Sequence, residues 1–271
     1  MCIFSQTDSI IAENIFKYEL KNGRATRNRV IVIQNTYDLH NTLLRKNNYD
    51  SLANIDRSTI FFYKDDKLIS EETYGPDFKI DSVRRIHYNN NGLIDQEALY
   101  LINDGNVEMI SRIKYTYENN ELAEKMVYGT TKKWITKTSF KRENDTLVKS
   151  ILFRKGTHPS DLKELLIKEI FDGEKPASAK ITAIHTDKSA ATEKIFYEYD
   201  TTNYQPVSMK WFTENDSLLK EVLYQYYPDG HIRSKSTRVS SGDYIEHLVH
   251  ERRNHTIVLG KPEMFAIPAE D

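Results

Sequence analysis

A short unit that predicts two strands and a tight turn recurs along most of this chain. Its clearest copy is Ile110 to Tyr128, with the sequence ISRIKYTYENNELAEKMVY. Ile113, Tyr115 and Tyr117 alternate with polar residues, and a period of two places alternate side chains on opposite faces of a strand. The Asn119–Asn120 pair suits a turn, and apolar residues resume after it. The unit therefore predicts a β-hairpin.

The same pattern, anchored on the last aromatic residue before each turn, returns roughly every 27 residues. The anchors are Tyr63, Tyr88, Tyr117, Phe140, Phe171, Tyr199 and Tyr226. A period of this length indicates a repeat architecture in which neighbouring hairpins pair side by side. We therefore predict a mainly-β fold: an elongated antiparallel meander of repeated β-hairpins, forming a single curved sheet or half-barrel with few short helices.

Two of the turns carry the wrong residue for the common hairpin geometry. Gly92, Asn203 and Gly230 end turns at a position that favours positive φ, which glycine and asparagine tolerate. Lys67 and Glu121 occupy the same position and would be strained there. We expect those two turns to differ from the others.

The chain divides into a cap, a repeat region and a tail. Residues 1–57 are predicted to form an N-terminal cap with a strand over 28–34 and a short helix as one option. The helix candidate is Tyr37 to Ala53, where Leu39 and Leu43 are spaced for one helical face. Residues 58–260 form the β-hairpin repeat domain and 261–271 a C-terminal tail, all in one continuous domain.

Residues 158–171 are ambiguous between helix and strand. Ser160 or Asp161 could cap a helix, with Glu164 placed for a capping box. The repeat phase instead aligns Ile167 to Gly173 with Ile113 to Asn119, which predicts a strand. We favour a strand from Leu165.

The turn segments carry a family resemblance. Tyr224 to Ile232, YQYYPDGHI, has two alternating tyrosines before an Asp-Gly turn, and Tyr197 to Asp200 matches its first half. Ile86 to Ile94 is a degraded third copy. The pattern resembles the YD-repeat (RHS-like) proteins and related β-hairpin repeat proteins of bacterial envelopes, over roughly residues 58–240, although most turns lack the glycine. The resemblance implies antiparallel hairpins laid side by side, in a family whose members are usually exported, and it does not imply an enzyme.

Composition narrows the function classes. With 40 acidic and 38 basic residues the net charge is −2, which gives no support to nucleic-acid binding. Hydrophobic residues are 39% of the chain and 17 residues are tyrosine, which suits a sheet with one packed and one solvated face. No window approaches the ~20 apolar residues of a membrane helix, so no transmembrane segment is predicted.

The single cysteine, Cys2, excludes an intrachain disulfide. Met1 to Phe4 is open to three interpretations: the tail of a secretion signal, a lipoprotein cysteine, or the frayed start of a cytoplasmic protein. We expect export to the periplasm, the outer-membrane surface or the medium, with a cytoplasmic location as the alternative.

Aromatic residues are the main candidate binding groups. If the hairpins pair in phase, they form rows on one face that could bind a glycan or a peptide; the alternative is ordinary cross-strand packing. The candidates are Tyr115, Tyr117, Trp134, Tyr197, Tyr199, Trp211, Tyr224 and Tyr226.

His247, His250 and His255 are a candidate metal site. Imidazole is an ordinary zinc ligand, but the odd separation of His247 and His250 places them on opposite faces of a strand, and a solvated face that carries histidines is the simpler interpretation. The sequence contains no nucleophile elbow and no glycine-rich phosphate loop. We predict no cofactor and no enzymatic activity.

These observations favour a non-catalytic envelope protein that acts as a scaffold or as a binding surface for a partner protein or glycan. The first alternative is a carrier that holds a lipid or other apolar ligand on the concave face of a half-barrel. The second is a metal-dependent hydrolase that uses the three histidines.

Overall fold

The structure, a computed structural model, describes residues 7–131, 133–154, 156–158 and 161–258. All regular structure in this part of the chain is β-strand. The strands are β1 (Thr7–Lys21), β2 (Arg24–Tyr37), β3 (Leu43–Tyr49), β4 (Ile55–Lys64), β5 (Lys67–Tyr74), β6 (Ile80–Tyr88), β7 (Ile94–Asn103), β8 (Asn106–Glu118), β9 (Glu121–Gly129), β10 (Trp134–Glu143), β11 (Thr146–Phe153), β12 (Leu162–Asp172), β13 (Lys175–His185), β14 (Ala190–Tyr199), β15 (Pro206–Thr213), β16 (Leu218–Tyr226), β17 (Ile232–Val239) and β18 (Tyr244–Val258).

Every strand pairs antiparallel with the strands before and after it in sequence. β1 also pairs with β18, from Thr7 opposite Val258 to Lys17 opposite Leu248. The meander therefore closes on itself as an 18-stranded β-barrel. The predicted antiparallel meander is confirmed, but the predicted open curved sheet or half-barrel is wrong. An open sheet would leave the outer edges of its first and last strands unpaired, whereas here those two edges pair with each other.

The predicted helices are also wrong. Within Tyr37 to Ala53 the chain turns at 38–42 and then forms β3, where consecutive Asn47 and Asn48 pair with Ser58 and Arg57. The helical spacing of the leucines was outweighed by pairing with strands on both sides. Residues 162–172 form β12, so the repeat phase, and not the local capping signal, gave the correct structure. The predicted tail, 261–271, and Cys2 lie outside the described residues.

The two exceptional turns resolve without strain on Lys67 or Glu121. Asp65 and Asp66 take positive φ of 51° and 60°, and Asn119 and Asn120 take 52° and 66°. Two-residue turns of this kind leave the following residue free to start the next strand. Gly92 has a φ of 76°, as its position in the sequence predicts.

The alternation of side chains defines two faces that run continuously around the ring. We call the first the tyrosine face, because it carries the anchor tyrosines Tyr63, Tyr88, Tyr117, Tyr199 and Tyr226. The second, the lysine face, carries Lys114, Lys168, Lys180, Lys194 and Lys210. Each face passes from strand to strand through directly opposite residues, such as Ile113 with Val127 on the tyrosine face and Lys114 with Met126 on the lysine face.

The strand register shows which face points inward. Following paired residues from strand to strand once around the ring leads back to β1, at a position roughly 20 residues nearer the C-terminal end of β1 than the starting residue. Because neighbouring strands twist in a single hand, this displacement fixes the direction of strand order as seen from outside. Asn89 continues the lysine face of β6, and its N–H bonds to the Leu93 carbonyl at 2.8 Å, across to the β7 side. In a strand of L-residues, the edge toward which a residue's N–H points fixes the face on which its side chain lies. Because the Asn89 N–H points toward β7, the lysine face lies outside and the tyrosine face inside.

Burial agrees with this assignment for several large apolar residues, although Val83 of the lysine face is also fully buried. Ile15, Ile86 and Ile195 on the tyrosine face are buried, whereas Ile170 and Phe196 on the lysine face are 50% and 45% exposed. Buried lysine-face positions are largely small residues covered by longer neighbours, as Ser70 is by the bonded Arg85 side chain.

Close backbone approaches among the described residues join neighbouring strands, together with β2 and β18 on either side of β1, so the backbones of opposite walls lie apart. A ring this wide leaves interior space beyond its own side chains. No helix in the described parts is long and apolar enough to cross a membrane.

Candidate functional site: the inner wall

The anchor tyrosines are structural latches. Each donates its hydroxyl to a main-chain carbonyl at the start of the preceding strand, at distances of 2.7 to 2.9 Å. The bonds are Tyr63 to Leu43, Tyr88 to Leu68, Tyr117 to Ile94, Tyr199 to Pro176 and Tyr226 to Pro206. Where the anchor is a tyrosine, the hydroxyl therefore fastens one end of the strand pair, whereas the anchors Phe140 and Phe171 have no hydroxyl to donate.

Three further tyrosines lie two residues before an anchor tyrosine, and therefore farther from the turn on the same wall. Tyr115, Tyr197 and Tyr224 share the inner face with the latches, and burial raises the pKa of each hydroxyl. The Tyr224 ring stacks on Tyr226 with centroids 6.5 Å apart. These rings are the part of the predicted aromatic platform that latching does not use.

The two tryptophans lie on different faces. Trp211 pairs with Ile195 on the inner wall, and Lys220 places its ammonium 4.5 Å from the indole centroid. Trp134 pairs with Tyr128, which itself pairs with Arg112, so it belongs to the outer face and is 37% exposed. Seven of the eight predicted aromatic residues therefore share one wall, and Trp134 is separate from them.

A charged cluster interrupts this aromatic wall at β5 to β9. The Arg84 guanidinium bonds to Glu97 through Nε and Nη2, at 2.8 and 2.6 Å, and to Glu71 through Nη1 at 2.5 Å. Tyr115 donates its hydroxyl to the other oxygen of Glu97 at 2.6 Å. Burial opposes the charge on Arg84, but the bonds to the two carboxylates outweigh it and raise its pKa. We call Glu71, Arg84, Glu97, Tyr115 and Lys125 the inner charge cluster.

Lys125 completes this cluster through the Tyr115 ring. Its ammonium lies 5.6 Å from the ring centroid, a cation–π geometry. A cavity of about 330 Å³ opens beside it, lined also by Arg84, Glu97, Leu99, Ser111 and Ile113. The cavity thus combines aliphatic side chains with the Arg84–Glu97 ion pair and one further cation, Lys125.

A second polar cluster lies where the ring closes. Glu13 of β1 accepts hydrogen bonds from Asn35 at 2.9 Å and Tyr37 at 2.8 Å, both on β2, and pairs with His250 of β18 at 3.0 Å. Burial opposes ionisation of Glu13, but these partners outweigh it and lower its pKa to about 2. Burial and the nearby carboxylate raise the pKa of Tyr37 to about 12. We call these four residues the seam cluster, because they join the three strands that close the barrel.

The structure does not bring the three candidate metal ligands together. His247 lies on the outer face, where its Nδ1 is 2.7 Å from the Ser236 hydroxyl and burial lowers its pKa. His250 points inward to Glu13, and the His255 side chain lies outside the described residues. Among the side chains that the structure describes, no group of three histidine, cysteine or acidic residues could hold a metal.

Sequence reasoning missed both polar clusters. Glu13 stands between Ile11 and Ile15 on an otherwise apolar face, and Glu97 is followed two residues later by Leu99. A charged residue in an apolar alternation costs free energy unless it is paired. A charged residue within an apolar alternation was therefore the available sequence signal for each cluster, although it does not identify the residue that pairs with the charge.

No protein-family model and no curated protein matches the chain. Solved structures with a remote likeness include a porin-like protein from Bacteroides vulgatus ATCC 8482, with 10% identity and a TM-score of 0.41 over 88% of this chain and 96% of that one. A porin-like protein from Bacteroides uniformis ATCC 8492 has 10% identity and a TM-score of 0.32, over 93% and 98% of the two chains. An outer membrane lipoprotein-sorting protein domain from Vibrio parahaemolyticus has 10% identity and a TM-score of 0.24, over 92% and 85%.

The predicted YD-repeat family is wrong, because the closure of the sheet contradicts it. The repeat signal reflects latched hairpins, but they close into one 18-stranded barrel and do not form an open array of repeats. Likenesses this remote support no conclusion about function, which has to be argued from the inner wall itself.

Proposed function

We propose that this protein is a non-catalytic binding barrel that holds an amphiphilic ligand, such as a lipid, against its inner wall. The observation that carries the proposal is the continuous inner face, on which aromatic and aliphatic side chains lie among charged groups such as Lys149 and Glu169, which pair with each other. Pockets for such ligands are mostly apolar with a small number of placed polar groups.

The distribution of charge supports this assignment. The outer face exposes Lys114, Lys168 and Lys180 to water, although it also buries Glu72 and Glu221. Inside, Glu97 and Glu13 are almost fully buried and paired, while Ile195 and Val222 supply buried apolar surface. An interior of this kind offers an amphiphile both apolar contact and polar recognition.

The experiment is native mass spectrometry of the intact protein purified from the cells that produce it, followed by solvent extraction of bound molecules. Trp211→Ala and Trp134→Ala form a matched pair, because one indole lies on the inner wall and the other on the outer face. We expect wild type and Trp134→Ala to retain a bound amphiphile and Trp211→Ala to lose most of it, with unchanged circular dichroism. Wild-type protein with no bound molecule, and no uptake from added lipid, would refute the proposal.

A scaffold that binds a partner protein is the second candidate, and one observation favours it. Phe196 and Phe212 contact edge to face on the outer wall with centroids 5.7 Å apart, and Phe196 is 45% exposed beside Lys210. Exposed aromatic residues of this kind are common in protein interfaces. Loss of a co-purifying protein in Phe196→Ser, with the lipid content unchanged, would favour the scaffold.

We also propose export to the bacterial envelope, as the sequence predicts. Fractionation of cells into cytoplasm, periplasm and membranes, with immunodetection of the native protein, tests it. A purely cytoplasmic signal would contradict it without bearing on the ligand.

A further inference from the structure

The inner charge cluster contains one cation whose donors are unused. Arg84 donates hydrogen bonds from Nε and both terminal nitrogens to Glu71 and Glu97. Glu97 in turn accepts from Arg84 and from Tyr115. The Lys125 side chain makes neither a hydrogen bond nor an ion pair with the described residues, and its ammonium faces the Tyr115 ring. A lysine ammonium carries three hydrogen-bond donors, so Lys125 can still donate hydrogen bonds to a bound ligand.

The surroundings hold this ammonium in place. The Tyr115 ring beneath it is fixed by its hydroxyl bond to Glu97 at 2.6 Å. The adjacent residue Glu124 points to the outer face, where it pairs with Lys137 at 2.5 Å. Lys149, another lysine of the inner wall, is already neutralised by Glu169 at 2.8 Å. Lys125 is thus positioned by a ring and not by a carboxylate.

The cavity beside Lys125 has the shape of a subsite. Its volume of about 330 Å³ lies between Lys125 and the aliphatic side chains of Leu99 and Ile113. Ser111 also lines it, and the residue opposite Ser111 on β9 is Gly129, which adds no side chain to the wall. Apolar surface and the unpaired Lys125 ammonium therefore meet within one recess, where Arg84 already neutralises the Glu97 carboxylate that also lines it.

From this juxtaposition we propose that Lys125 binds the anionic head of an amphiphile, a carboxylate or phosphate, while Leu99 and Ile113 contact the first part of its apolar chain. The inference rests on the proposed function and names the class of ligand. A charge-assisted bond to an ammonium is stronger than a neutral one, so the charged head sets the orientation of the chain inside the barrel.

Isothermal titration calorimetry of the full chain tests this with three probes: decanoate, decyl phosphate and decanol. Lys125→Gln removes the ammonium, Lys125→Arg keeps a cation, and Lys114→Gln removes an exposed lysine from the outer face of the neighbouring strand. We expect Lys125→Gln to weaken the binding of at least one anionic probe about tenfold or more, with decanol unaffected. Lys125→Arg and Lys114→Gln should bind like wild type. The probe that responds more strongly distinguishes a carboxylate from a phosphate.

The outcomes separate the two proposals. Equal loss for decanol and both anions, or equal affinity of Lys125→Gln and wild type for both anions, would overturn the head-group assignment and leave an apolar carrier intact. If wild type binds none of the three probes, the carrier and the head-group site fail together.

Discussion

Acid should weaken the barrel at its seam, because Glu13 is a carboxylate that folding holds ionised. Its pKa falls from 4.5 to about 2: burial works against the charge, and the bonds from His250, Asn35 and Tyr37 outweigh burial. A lowering of this size corresponds to about 3 kcal/mol of folding free energy at neutral pH. Since the pKa is lowered in the folded state, this stability is present above the unfolded value and is lost as the pH falls from 4.5 toward 2.

The test compares the free energy of unfolding of wild type and Glu13→Gln by denaturant titration, followed by circular dichroism, from neutral pH downward. We expect the variant to be less stable by about 3 kcal/mol at neutral pH, and the difference to shrink as acid protonates the wild-type carboxyl. The control is Glu246→Gln on the same strand as His250, because Glu246 makes neither a hydrogen bond nor an ion pair with the described residues. The reasoning would be refuted if the difference in unfolding free energy between wild type and Glu13→Gln stayed constant as the pH falls. An equal loss of unfolding free energy in Glu246→Gln would refute it as well.

Two further substitutions test the inner wall by the same unfolding measurement. Tyr88→Phe removes one latch hydroxyl and should cost about 1 kcal/mol, whereas Tyr204→Phe, at a residue 63% exposed with no hydroxyl bond among the described residues, should cost nothing measurable. Arg84→Met leaves the buried carboxylate of Glu97 with only its tyrosine partner and should cost roughly 2–3 kcal/mol; Arg57→Met, at an exposed position of the same wall, is its control. Equal effects within either pair would contradict the assigned roles.

The local part of this fold was readable because strands and turns are encoded over short distances. The alternation of Tyr115 and Tyr117 with polar residues predicted a hairpin and a shared face, and the structure has both. The Asn119–Asn120 turn was equally local, since positive φ depends on residues that tolerate it.

Closure could not be read from the sequence. It depends on Asn14 lying opposite Glu251, at the other end of the chain, and no local pattern specifies that partner. The inner charge cluster is hidden for the same reason, because Arg84, Glu97 and Tyr115 lie on three strands and meet only through the register. The helix predicted around Leu43 failed because periodicity over a few residues cannot outweigh pairing on both strand edges.

Reaction of single cysteines with maleimides of two sizes tests the central claim most directly. In a Cys2→Ser background, Ile181→Cys lies on the inner wall and Thr182→Cys, the next residue, on the outer face of the same strand. We predict that a small maleimide labels both, and that a maleimide carrying a large polyethylene glycol chain labels Thr182→Cys readily and Ile181→Cys far more slowly. Equal labelling of both by the large reagent would contradict a closed barrel, and faster labelling of Ile181→Cys would contradict the inward orientation of the tyrosine face.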